Sequence, residues 1–299
     1  MSLTPRVKDA DRDYLCEPDG SMVVKVGFLK LGCIGSASLL EFMLDERAER
    51  QDVDVRVVGA GAKLGTEQAE EVAKRMLEFK PQLVVITSPN ATLPGPKKAR
   101  EIIKDAGIPA VVVSDSPAKK SVQELEQQGF GYIIVEADSM IGARREFLDP
   151  LEMVLFNLDV TRVLAITGAL NLLTTEIDRA IESIKIGAKV SLPKVVVDKE
   201  RAIKAAAFSN AYAGTKAMAA YETARRVADL SVEGCFQVKE WERYTQIVSA
   251  AHEMMRQAAR LADEARETEK SQDAVSRTPH YDDGRVLKKT KLIEKPAKP

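Results

Sequence analysis

Histidine is nearly absent from this chain, with His252 and His280 as the whole supply, and cysteine is confined to Cys16, Cys33 and Cys235. Two imidazoles make a histidine-built metal centre improbable. Three scattered cysteines form no disulfide framework, which fits a reducing compartment. Long apolar runs are missing too: none reaches the ~18 residues a membrane helix needs. The opening stretch, MSLTPRVKDADRDYLCEPDGS, is polar and has no signal-peptide apolar region. Charge of either sign is not in excess, since 44 basic against 45 acidic side chains leave a formal charge of −1. Nothing global then pulls the protein toward nucleic acid or an acidic membrane, so an anionic ligand must be met by a local cluster. These absences lead us to expect a soluble cytoplasmic protein.

What is there is an ordinary globular composition, 45% apolar and 30% charged over 299 residues, enough for one large domain or two smaller ones. Residues 1–21 read as a flexible leader, with packed structure expected from Met22. From there to Asp149 short Val- and Ile-rich runs (MVVKVGFLKL, VDVRVVGA, LVVIT, AVVVSD, YIIVEAD) alternate with helical patterns at Ser38–Glu49, Glu67–Phe79, Pro96–Ala106 and Lys119–Gln128. Near-continuous apolar strands separated by helices predict an α/β fold around an open, doubly wound parallel sheet. Pro150 opens a helical half, residues 150–277, with helices expected through Leu158, over Thr174–Ile186 and Arg201–Leu230, and from Val238 to Lys270. One short strand, PKVVVD from Pro193, interrupts it. The basic remainder, 278–299, is expected to pack as a tail, with Asp282–Val286 suited to a hairpin.

In such a sheet ligands bind beyond the carboxyl ends of the strands. After the first strand comes Lys30-Leu-Gly-Cys-Ile-Gly-Ser36, where Gly32 and Gly35 permit close backbone approach and the N–H groups of the following helix suit an anion. The spacing is GxxG rather than GxGxxG, and the second strand ends in Gly59-Ala-Gly61 without a carboxylate for a ribose, which weakens a nicotinamide reading. The third strand ends in Thr87-Ser-Pro-Asn-Ala-Thr-Leu-Pro-Gly-Pro96, a stiffened polar loop that can wall a ligand or merely cap the next helix. Asp115, Glu136 and Asp138 follow the fourth and fifth strands. They can accept hydrogen bonds from an amino-pyrimidine edge or stabilise a cation, although Asp is also a common helix cap. Arg144 and Arg145 can clamp a phosphate or carboxylate, or pair on the surface with Glu146 or Asp149. Lysines at helix starts (Lys97, Lys98, Lys119, Lys120) are compatible with an anionic partner or with simple solvation. His252, on a small-residue helix face, reads as packed rather than catalytic, and Cys33 has no evident activating partner.

Four of these blocks do more than suggest a cleft. KVGFLKLGCIGSASLLEFMLDERAER, SPNATLPGPKKARE, GYIIVEADSMIGARREFLDP and SAAHEMMRQAARLADEARETEKS followed by SRTPH closely resemble the archaeal coenzyme F-420-dependent methylenetetrahydromethanopterin dehydrogenases. The similarity runs from about Met22 to the C-terminus. It implies a reversible hydride transfer from methylene-tetrahydromethanopterin to carbon 5 of the 8-hydroxy-5-deazaflavin, in methanogenesis or its reverse. It further implies that both compounds are dissociable substrates, without metal, tightly bound flavin or nicotinamide, and that the protein is a homohexamer. Strand-end position combined with this resemblance assigns Asp138 to electrostatic support of the methenyl cation, and Asp115, Glu136, Asp138 and Met140 to the pterin. The same logic assigns Lys30, Gly32, Cys33, Ile34, Gly35, Thr87, Ser88, Pro89, Asn90, Arg144 and Arg145 to the deazaflavin. A nicotinamide-dependent Rossmann oxidoreductase and a non-catalytic small-ligand-binding protein are the alternative readings, separated from the first by which acceptor supports turnover.

Overall fold

The computed structural model describes residues 23–44, 50–139 and 149–297. The valine-rich runs form β1 (Val24–Lys30), β2 (Val53–Gly59), β3 (Leu83–Ser88), β4 (Ala110–Asp115) and β5 (Gly131–Val135), and PKVVVD contributes β6 (Lys194–Val197). All pair in parallel in the order β2-β1-β3-β4-β5-β6. The fold is α/β, with an open parallel sheet wound in both directions from β1. The three central strands β3, β4 and β5 are buried throughout, which their unbroken apolar sequence requires. Edge strand β2 is half-exposed and carries Asp54 and Arg56 among its valines.

Alternate residues of each strand feed opposite faces. Val26, Phe28, Val85, Val111, Val113, Ile133 and Val135 face one cluster; Leu29, Val84, Ile86, Val112 and Ile134 face the other. The second face is covered by α2 (Thr66–Glu78), α3 (Pro94–Asp105) and α4 (Val122–Gln128). The first is covered by α1 (Gly35–Leu44) and by a helical half: α5 (Pro150–Ile166), α6 (Ala169–Lys185), α7 (Lys199–Ala206), α8 (Ala211–Val232) and α9 (Trp241–Ser271). Small residues along α8 (Ala213, Ala217, Ala220, Ala224) and α9 (Ala251, Ala258, Ala262, Ala265) are buried where the two long helices lie side by side. One continuous hydrophobic cluster runs from the sheet into these helices.

Three local differences from the sequence reading have clear causes. PKVVVD joins the sheet beside β5 instead of standing alone among helices, and Tyr221 of α8 fixes it by donating its hydroxyl hydrogen bond to the Val197 carbonyl. The helix expected over Arg201–Leu230 is two helices. Ala207 turns left-handed (φ 54°), and Asn210 begins α8 by accepting hydrogen bonds from the Tyr212 and Ala213 N–H groups, both at 2.9 Å. Finally, α3 starts at Pro94, so that Pro94, Gly95 and Pro96 form its first turn rather than the loop before it.

The C-terminal segment turns back on itself through antiparallel bridges His280–Val286 and Arg277–Lys289. It is fastened by a buried ionic cluster next to the start of β2. Arg50 Nε lies 2.6 Å from Asp52, Lys185 Nζ lies 2.6 Å from the other Asp52 oxygen, and His280 Nε2 lies 2.7 Å from Asp178. Gly284 (φ 83°) packs so close to this cluster that a Cβ there would collide with the Asp52 carboxylate. No single helix among the described residues is long and apolar enough to cross a bilayer.

Candidate functional site

Strand order reverses at β1, which has β2 on one side and β3 on the other, so the chain leaves the carboxyl ends of β1 and β3 in opposite directions. In open parallel sheets such a reversal is where ligands bind. The register places Lys30 between Gly59 and Thr87, Ser88 beside Ser114, and Asp115 beside Val135, so the sequence-selected strand ends lie along one edge. The two turns meet at Gly32, in the left-handed region (φ 72°), where a Cβ would lie 2.9 Å from Leu64 Cδ2 and 3.1 Å from Pro89 Cδ. Only glycine satisfies both demands at that point.

Asp138 reaches across from beyond β5 to the first turn of α1. Its Oδ1 accepts the Gly35 N–H at 2.7 Å and its Oδ2 the Ser36 N–H at 2.9 Å. The anion expected at this helix start is therefore the protein's own carboxylate, and these two N–H groups are not free. The close approach explains Gly35, since a Cβ there would fall 3.0 Å from Asp138 Oδ1 and 2.5 Å from Val160 Cγ1 of α5. Asp138 is 0% exposed. Burial lifts its pKa to about 6, against the pull of Ser36 and the Gly35 N–H. Asp115 is also buried and caps the turn after β4 through the Ser116 N–H. Burial first, and then the charge of Asp138, hold its carboxyl well above the usual range. Two buried acids thus sit at neighbouring strand ends, both raised by burial and Asp115 raised further by the charge of Asp138.

The loop after β3 is tied from several sides. The Thr87 carbonyl accepts the Leu31 N–H at 2.9 Å, joining it to the β1 turn. Asn90 Oδ1 accepts both the N–H and the hydroxyl of Thr92, at 3.0 and 2.7 Å, which leaves its amide nitrogen without a protein partner among the described residues. Ser114 Oγ donates to the Ser88 carbonyl at 2.6 Å and accepts the Ala91 N–H at 3.2 Å. Arg100 of α3, buried, donates to the Ala91 carbonyl at 2.7 Å. The side-chain hydroxyls of Thr87, Ser88 and Ser139 on this edge are buried with no hydrogen-bond partner among the described residues. That of Ser36 is buried beside Asp138 but outside hydrogen-bond geometry. Such groups are rare in native interiors, and a ligand or water is the usual way to complete them.

The remaining sequence-selected residues divide. Lys30 Nζ pairs with Glu41 at 2.8 Å, and Glu136, just beyond β5, pairs at 2.7 Å with Lys119 of the turn after β4. Lys97 pairs with Glu124. Cys33 is partly exposed beside Gly32, whereas the Ile34 side chain enters the core, leaving only its backbone at the turn. His252 is buried and stacks on Phe156, ring centroids 4.3 Å apart, and burial lowers its pKa. Met140, Arg144 and Arg145 lie outside the described residues. Sequence reasoning missed Ser36, Ser114, Ser139 and Arg100; a serine near the carboxyl end of each of two adjacent valine-rich strands, Ser88 and Ser114, is the signal that could have found one of them.

A cavity of about 870 Å³ lies elsewhere. It is lined by Leu39, Phe42 and Met43 at the far end of α1, by Leu158 of α5 and by Arg277 and Lys289 of the C-terminal segment. Because α1 runs away from the strand carboxyl ends, this cavity sits toward the opposite edge, and none of the sequence-selected site residues among the described residues lines it.

A family model described as methylene-5,6,7,8-tetrahydromethanopterin dehydrogenase matches residues 24–297. The F420-dependent methylenetetrahydromethanopterin dehydrogenase of Archaeoglobus fulgidus is 58% identical over 275 residues, 92% of this chain and 100% of the relative. The protein of that description from Methanocaldococcus jannaschii is 54% identical with the same coverage. A solved structure of F420 dependent methylene-tetrahydromethanopterin dehydrogenase in complex with methylene-tetrahydromethanopterin and coenzyme F420 matches with a TM-score of 0.88 and 48% identity. The match covers 92% of this chain and 100% of that one.

Proposed function

The chain belongs to the methylene-5,6,7,8-tetrahydromethanopterin dehydrogenase family, and we propose on that basis that it transfers a hydride reversibly between 5,10-methylenetetrahydromethanopterin and coenzyme F420. The observation that carries this reading is the 58% identity to the Archaeoglobus fulgidus dehydrogenase across that relative's full length. Bound as a cosubstrate, the deazaflavin supplies a carbon that accepts the hydride with its electron pair. The methylene carbon of the pterin then becomes the methenyl cation. A proton taken up from solvent completes the reduced coenzyme, neither half of the exchange needs a protein nucleophile, and the protein's work is alignment and electrostatics.

The described residues fit that division of labour. The Gly32 cradle and the Thr87–Asn90 loop form a rigid wall for the deazaflavin. The orphaned hydroxyls of Thr87, Ser88 and Ser139 offer unspent polar atoms behind it. Asp138 holds the α1 turn in place, and its carboxylate, ionised above a pKa of about 6, provides the negative field near which a cationic product is favoured, with Asp115, whose ionisation burial disfavours, beside it. Glu136 stands at the far margin of the same edge. We assign Met140 to the pterin, and Arg144 and Arg145 to the anionic part of the coenzyme. The decisive experiment mixes the protein with methylene-tetrahydromethanopterin and oxidised F420 and follows loss of the coenzyme's visible absorbance. Turnover is expected with F420 and not with nicotinamide; turnover with nicotinamide alone, or with neither, refutes the reading.

A cytoplasmic homohexamer is part of the same proposal. Its support is a stripe on the outer side of α5, where Leu151, Val154, Leu155 and Leu158 recur at helical spacing and remain exposed, 64% for Leu151. Phe42 of α1, 70% exposed at the mouth of the 870 Å³ cavity, adds to that surface. Light scattering should give the mass of six chains, and a monomeric mass at micromolar concentration would refute the assembly.

A further inference from the structure

We infer that Ser114 and Arg100 are positioning residues for hydride transfer, because together they pin Ala91 and so set where the Thr87–Asn90 loop meets the deazaflavin. The inference rests on the assignment of that loop to the coenzyme. Ala91 is wholly buried, and both polar groups of its backbone are taken by side chains rather than by secondary structure. Ser114 binds its N–H and Arg100 its carbonyl. Ser114 does a second thing at once, donating to the Ser88 carbonyl at 2.6 Å. It therefore clips the last residue of β3 to a point three residues further on. A hydroxyl is the smallest group that can donate and accept in this way.

Arg100 is an unusual choice for stability alone. Its side chain is buried, its Nε has no partner among the described residues, and the Glu124 carboxylate is 3.8 Å from its Nη2. Burial lowers its pKa, with Glu124 only partly opposing. A buried guanidinium held chiefly by a neutral carbonyl loses more hydration than it regains. What it supplies is a rigid planar donor, anchored in α3, that reaches the loop from beneath. Asn90 closes the construction by binding Thr92 twice through Oδ1. The loop is left with its amide nitrogen as an unspent polar group, one residue after Pro89, which packs against the Gly32 turn. In a reaction that proceeds by alignment, a displacement of about 1 Å in such a wall can lower the rate on the order of 100-fold.

The test is steady-state kinetics on Ser114→Ala, Ser114→Thr, Arg100→Met and Asn90→Ala, with both substrates varied. Ser114→Ala and Arg100→Met are expected to raise the KM for F420 and lower kcat/KM for it by at least about tenfold, while the KM for methylene-tetrahydromethanopterin stays within about twofold of the parent. Ser114→Thr keeps the hydroxyl and should restore most of the loss. Arg100→Met can fail to fold, so Ser114→Ala decides, with its melting temperature recorded alongside. A Ser114→Ala protein with a lower melting temperature but unchanged KM for F420 overturns the inference, as does an equal rise in both KM values. Asn90→Ala separates the two ways of failing. A raised F420 KM there with an unchanged one in Ser114→Ala removes the pinning role alone; an unchanged F420 KM in Asn90→Ala removes the loop assignment and the pinning with it.

Discussion

Replacing Asp138 by asparagine puts the geometry at the start of α1 to a quantitative test. The carboxylate accepts two backbone N–H groups, one on each oxygen. An amide offers one acceptor, so one of the two N–H groups faces another donor and goes unpaired, at a cost of about 1–3 kcal/mol. Against this stands the cost of ionising a buried acid. The pKa of Asp138 is about 6 in the folded protein, against 3.8 for an ordinary aspartate carboxyl. The folded state thus binds the proton more tightly than the unfolded chain, so the acid's contribution is present in full below pH 3.8 and is lost as pH rises through 6. Between about pH 4 and about pH 8 that loss amounts to about 2.5 kcal/mol, because each tenfold gain in proton affinity is worth about 1.36 kcal/mol. The variant has no such proton to lose. It should be less stable than the parent at about pH 4 and recover about 2.5 kcal/mol relative to it by about pH 8. Removing the charge also relaxes Asp115, which pushes in the same direction. Urea denaturation of both proteins at several pH values measures the difference directly. A stability gap that does not change with pH would refute the assignment of a raised acid at this position.

Further predictions come from the two tight glycines and one cap. Gly35→Ala places a methyl 2.5 Å from Val160 Cγ1 and 3.0 Å from Asp138; it should lower stability by about 1–3 kcal/mol and reduce turnover, both read from melting curves and rate assays. Gly284→Ala collides with Asp52 and strains a left-handed residue, and should release the C-terminal segment to limited proteolysis while F420-dependent turnover per intact chain is retained. Asn210→Ala removes the acceptor of two N–H groups at the start of α8 and should cost about 1 kcal/mol in chemical denaturation.

Much of the sheet was legible because burial on both faces leaves a plain trace, an unbroken valine and isoleucine run bounded by glycine or proline. The doubly wound order followed from strands alternating with helices. What the pattern could not show was partnership. The four residues of β6 read as strand, yet nothing local says that β5 is their neighbour; that depends on Tyr221 and the helices packed behind them. The break between α7 and α8 rests on Ser209-Asn210, a capping signal outweighed by the apolar periodicity on either side. At the site, strand ends and turn glycines could be selected because topology forces them together. The destination of each carboxylate could not, since Asp138 meets Gly35 across 103 positions of sequence. Arg100 was hidden for a related reason: a charged residue on an amphipathic helix reads as solvent-facing until a loop folds over it.

The late position of β6 has a consequence for how this chain is made. During synthesis β1 to β5 emerge and can pair in turn, but the open edge of β5 finds its neighbour only when Lys194–Val197 has left the ribosome. The apolar cluster that α1, α5 and α6 begin to cover is completed only when α8 and α9, ending at Ser271, follow. From the emergence of β5 to that of β6 the nascent protein therefore displays an unpaired strand, and until α9 follows an incompletely covered apolar face, the two features that most favour aggregation. Truncations ending before Lys194 should fail to yield dispersed protein even though five strands are present, and chaperone dependence should end abruptly once the full length is released.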